Sequence, residues 1–138
     1  MKIFGILLGI VAASALAADL PRNPSPTNVE LYFISPQDGE TVASPVIVRF
    51  GLRGMGVAPA GLAMENTGHH HLLIDVPPPA FNLPIPADAN HVHFGKGQTE
   101  TQLTLAPGKH TLQLLLADHL HIPHDPPVLS RPITITVK

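Results

Sequence analysis

The chain contains no cysteine among its 138 residues. Disulfides, thiolate nucleophiles, zinc fingers and iron–sulfur clusters are therefore excluded. So is a blue-copper electron-transfer site, whose His₂Cys core needs a thiolate. Tryptophan is missing too, and one Tyr and five Phe offer little for stacking nucleic-acid bases. Charged residues make up 13% and leave a net charge of −2. That balance gives no electrostatic reason to expect nucleic acid or an anionic membrane surface. No segment shows a capped helical period. There is no G-x-S-x-G elbow, no H-E-x-x-H and no phosphate loop; Gly95-Lys96-Gly97-Gln98-Thr99 lacks the required spacing and following helix. Ser35, Ser44 and Ser130 are hydroxyls without a recognisable activating motif. Binding is favoured over catalysis.

The amino end reads as an export signal. Lys2 supplies a positive charge, residues 3–13 are apolar, and Ala15-Leu16-Ala17 matches an A-x-A cleavage site. The run is shorter than the ~20 residues of a membrane span, and no cysteine is available for a lipid anchor. Removing 17 of the 138 residues leaves 121 with a net charge of −3, the size of one domain. The expectation is a signal peptide over 1–17 and a periplasmic or secreted product with no integral membrane segment. A Pro-rich linker over 18–28 and one domain over 29–138 would follow.

Within that domain, short alternating segments are punctuated by Gly and Pro. Strands are predicted near 29–34, 46–52, 69–76, 91–94, 100–105, 110–118 and 131–137. Asp38-Gly39 and Pro107-Gly108 mark turns, while 54–61, 77–90 and 119–128 read as loops. The pattern predicts an all-β fold, an immunoglobulin-like antiparallel β-sandwich.

Nine histidines and two methionines, Met55 and Met64, are the soft ligands of the mature chain. Three H-x-H pairs stand out: His69/His71, His91/His93 and His119/His121. On a strand, residues two apart share a face about 7 Å apart at Cα, so both rings can reach one ion. Neutral imidazole suits copper and zinc, and a nearby thioether would favour Cu(I). The predicted metal ligands are His69, His71, His91, His93, His121 and His124. Copper is the favoured ion and zinc the alternative.

The bland readings compete directly. His70 shares its face with Leu72, Ile74 and Val76, and is expected as a buried, hydrogen-bonded core histidine. His110 reads as a strand-end residue, and the methionines serve equally well as core filling. Asp75 and Asp118 could orient imidazoles or merely close turns. The alternative function is a metal-free interaction or adhesion module with a protein partner in the cell envelope.

Three runs carry a family resemblance. They are Gly68-His69-His70-His71-Leu72-Leu73-Ile74-Asp75, His93-Phe94-Gly95-Lys96-Gly97-Gln98-Thr99-Glu100 and Pro107-Gly108-Lys109-His110-Thr111-Leu112-Gln113-Leu114. With the His-x-Pro-His-x-Pro-Pro core inside 118–130, they resemble the DUF4399 family across roughly residues 50–137. That family comprises small exported bacterial proteins of unknown function. The resemblance implies no activity and no ligand set.

Overall fold

The structure, a computed structural model, describes residues 19–138; the expected signal peptide over 1–17 lies outside the described residues. Nine strands are present, with no helix among the described residues. They are β1 (Glu30–Ser35), β2 (Thr41–Val42), β3 (Val46–Arg53), β4 (Gly56–Val57) and β5 (Thr67–Ile74), then β6 (His91–His93), β7 (Glu100–Leu103), β8 (Gly108–Ala117) and β9 (Ile133–Val137).

Alternation builds the scaffold. In β3, Val46, Val48 and Phe50 point inward while Ile47 and Arg49 face solvent. In β9, Ile133, Ile135 and Val137 are buried. One sheet has the order β1-β3-β7, and the other β2-β9-β8-β5-β4 with β6 also on β5. Side chains of both sheets meet in one core, where Val48, Leu72, Leu112, Leu114 and Ile135 are completely buried. Each such side chain stabilises the fold by about 1.5–3 kcal/mol through loss of apolar surface from water.

The strand pattern predicts antiparallel pairing throughout; the structure departs from this at two pairs. β2 runs parallel to β9 and β4 parallel to β5. Both extra strands are two residues long, too short for alternation to mark them. β4 falls inside the stretch 54–61 that reads as a loop.

β5 departs from one-sided burial. Its residues from Gly68 to Ile74 are all buried. Leu72 and Ile74 enter the main core, and Phe50 packs against His70 with ring centroids 5.1 Å apart. The opposite face carries His69, His71 and Leu73. It is roofed by the 77–90 and 119–129 segments, whose Ile85, Phe81 and Leu129 pack with Leu115 and Ala117 of β8. β5 also lies close to β8 at its start. A Cβ on Gly68 would sit 2.6 Å from the Ala117 carbonyl oxygen and 2.9 Å from Leu116 Cγ.

The Pro-rich lead lies against the 118–126 loop. Pro24 bridges Asp125, Ser25 N–H donates to the Asp125 carbonyl at 3.1 Å, and Asp125 N–H donates to that of Asn23 at 2.9 Å.

Candidate metal centre

The second face of β5 sets two imidazoles side by side. His69 and His71 are two residues apart on one strand, and each is no more than 1% exposed. A third arrives by pairing: β6 is antiparallel to β5 with His93 directly opposite His71. The fourth, His121, comes from the loop after β8. Asp118 follows that strand and folds the chain back, its Oδ1 accepting the N–H of Leu120 at 2.9 Å and of Ile122 at 3.0 Å. His121 then takes a left-handed backbone conformation, φ 65°, which turns it towards β5.

The four rings converge. One nitrogen from each of His69, His71, His93 and His121 lies within 4.8 Å of the others, a group that could hold a metal ion. His69 Nε2 is 3.0 Å from His71 Nε2 and 3.1 Å from His121 Nδ1. A single imidazole nitrogen has either one proton or one lone pair, so it cannot serve both neighbours well. The buried Nδ1 atoms of His69 and His71 have no hydrogen-bond partner.

Protonation favours ligation. Burial, reinforced by the neighbouring imidazoles, lowers the His69 pKa from 6.5 to about 4 and that of His71 to about 2. Burial and His121 lower His93 as well. At neutral pH these three rings are uncharged and their lone pairs are available.

The shape is closer to a tetrahedron than to a square. The six ring-centroid separations all lie between 4.7 and 5.9 Å. With metal–nitrogen bonds of ~2.0–2.1 Å, a tetrahedral ion would separate the centroids by ~5.2 Å; a square would give four at ~4.5 Å and two at ~6.4 Å. Tetrahedral nitrogen sites suit Zn(II) and Cu(I) better than the square-planar preference of Cu(II).

The other sequence candidates lie elsewhere. His91 shares β6 with His93, but its Nδ1 donates to Asp88 Oδ1 at 2.8 Å, and it is not among the converging four. His124 is 2% exposed and its Nε2 donates to the Thr67 carbonyl at 3.2 Å, outside the group. Met55 packs against the main core and Met64 is 58% exposed, so neither thioether joins the imidazoles. Asp75 closes a strand end, accepting from His110 Nδ1 at 2.7 Å and from the Thr111 N–H at 2.8 Å. That bond raises the His110 pKa. His70 is buried as expected but not hydrogen-bonded: neither ring nitrogen has a partner.

Residues 48–138 match the family model described as a domain of unknown function, DUF4399. The chain belongs to the DUF4399 family. All four converging histidines lie inside the matched DUF4399 region, whereas β1 and the amino-terminal lead precede it. No curated protein and no solved structure shows a significant match.

Two further residues bear on how the rings are placed. Gly95 reads as a turn residue, yet the His93 ring lies directly over it and a Cβ there would overlap that ring. Asp118 is legible as a turn former, but that its turn delivers His121 depends on the path of the loop.

Proposed function

We propose that this protein is an exported transition-metal-binding protein that works in homeostasis or delivery, in the periplasm or outside the cell. The carrying observation is the convergence of four imidazole nitrogens within 4.8 Å of one another, on the covered face of β5. Copper is the favoured ion and zinc the alternative. The near-tetrahedral ring arrangement suits Cu(I). For the divalent ions the Irving–Williams order ranks copper above zinc at a nitrogen site. Four protein ligands would complete a tetrahedral shell, leaving no position for an activated water, which favours holding or passing on an ion over hydrolysis. Export is supported by the signal pattern at the amino end. The scaffold we read as an immunoglobulin-like sandwich, on the strength of two sheets that share one core.

The site has an inside and an outside. His69 and His71 are locked in the sheet, whereas His93 is exposed. An ion would therefore enter and leave on the His93 side.

The test is calorimetric titration of untagged protein with Cu(II), Cu(I) and Zn(II), alongside thermal unfolding. One ion per chain and a raised melting temperature are expected, because a ligand that binds only the folded state stabilises it. Replacing His71 and His93 together should remove binding without unfolding the domain. Weak multi-site binding that survives in that double variant would sink the proposal.

A further inference from the structure

The amino-terminal lead contacts Asp118, the residue whose turn presents His121. Asn23 Nδ2 donates to Asp118 Oδ2 at 2.9 Å. The other carboxylate oxygen holds the N–H groups of Leu120 and Ile122, and the His121 N–H donates to the Asp118 carbonyl at 3.0 Å. Asp118 is 3% exposed, so each of these donors matters to a carboxylate that water barely reaches. A left-handed backbone is strained at a residue other than glycine. The conformation of His121 therefore depends on the turn around it being held.

The lead is fastened on both sides of this contact. Arg22 Nε donates to the Pro123 carbonyl at 3.0 Å, its terminal nitrogen reaches the His124 carbonyl, and Ser25 Oγ donates to the Pro126 carbonyl at 2.7 Å. The Arg22 guanidinium also sits 5.8 Å from the centre of the Phe81 ring, in the other segment roofing the site. Residues 22–25 thus tie together the two coverings of the histidine face. They lie before the family-matched region, which begins at residue 48.

We propose that Asn23 is a positioning residue for the metal centre, holding His121 in its ligating orientation through Asp118. The proposal rests on the metal-binding reading above. His69, His71 and His93 sit on paired strands and need no such help. His121 is the ligand supplied by a loop, and removing the Asn23 amide leaves Asp118 Oδ2 buried without its donor. By linkage, an ion bound to His121 must in turn strengthen docking of the lead.

The test is a double-mutant cycle with Zn(II) and Co(II) on four forms of the exported protein: wild type, Asn23→Ala, His121→Ala and the double variant. In the wild-type background, Asn23→Ala should weaken Zn(II) binding by about 10- to 100-fold, the range found when a group supporting a metal ligand is lost. The visible absorption of four-coordinate Co(II) should weaken with it. In the His121→Ala background, the same change should alter affinity by less than about 2-fold, since the residue it acts through is gone. Zn(II) should also slow hydrogen exchange at the Ser25 and Asp125 amides in wild type but not in His121→Ala. Unchanged affinity in Asn23→Ala, or an equal loss in both backgrounds, would overturn the proposal. Failure of the wild type itself to bind would instead overturn the metal-binding reading beneath it. Should Asn23→Ala not fold, Asn23→Ser is read in the same cycle by the same criteria.

Discussion

The Nε2 atoms of His69 and His71 lie 3.0 Å apart on one face of β5. Both belong to rings that burial keeps neutral, and each ring's other nitrogen is buried without a partner. Two imidazoles can share one proton between them, but two more rings press on the same point. An ion that accepts all four lone pairs resolves that conflict.

Four positions, not six, should control binding. His71→Ala is expected to abolish stoichiometric binding. His93→Ala should leave measurable but weaker binding with faster release, because its ring is the exposed one. His91→Ala and His124→Gln should bind like wild type. Competition with a chelator of known affinity reads all four, and a loss in His91→Ala as large as that in His93→Ala would contradict the geometry.

Gly95→Ala probes the seat of the His93 ring. A methyl group there collides with the imidazole, so the ring must swing away. Metal affinity should fall towards that of His93→Ala while the metal-free melting temperature changes little. The pair of measurements separates ring displacement from general damage.

His70→Leu should stabilise the metal-free protein. Burying the imidazole with no partner for either nitrogen carries a penalty of about 1–3 kcal/mol, which an apolar side chain beside Phe50 avoids. Urea unfolding should show the stability extrapolated to water rising by that order, with metal affinity unchanged. A drop in stability would mean that the His70 nitrogens find partners in solution.

Acid should weaken the metal-free fold well before carboxylates protonate. His69 and His70 titrate near 4 and His71 near 2 when folded, all lowered by burial from 6.5. The unfolded chain therefore binds more protons below pH 6.5, and stability falls with pH. It is full above pH 6.5 and is lost on the way down to about 4 for His69 and His70, with His71 extending the loss towards 2. Each such histidine contributes a slope of up to about 1.4 kcal/mol per pH unit. His110, raised by its bond to Asp75, acts in the opposite sense and on the other side of 6.5. Its contribution is complete below that pH and fades as pH rises above it, so it does not offset the acid loss. Urea midpoints at pH 7.5, 6 and 5 should decline in that order, and equal midpoints would contradict the burial of these rings.

The sequence made some of this legible and hid the rest for physical reasons. Alternation along 69–76 separates His69 and His71 from His70 because a strand has period two, and the structure keeps them on opposite faces. His93 beside His71 is a matter of register between β5 and β6, which no single segment encodes. His91 has the same spacing as His93, yet Asp88 three residues earlier captures it. His124 follows His121 closely, but the chain direction set by the Asp118 turn carries it to Thr67 instead. The Pro-rich lead reads as a linker because proline supplies no sheet pattern; Arg22 and Ser25 find partners 101 residues further along the chain.

Three histidines in a row create a hazard, since moving β5 by one position would still offer imidazoles to both faces. Such a slip turns every side chain over, sending His69 and His71 into the apolar core. Gly68 guards against it. A Cβ at that position would lie 2.6 Å from the Ala117 carbonyl oxygen, so Thr67 or His69 brought there by a shift would collide with backbone. The smallest residue in the strand thus acts as a steric key, admitting one alignment of the triplet before any ion has arrived to select it.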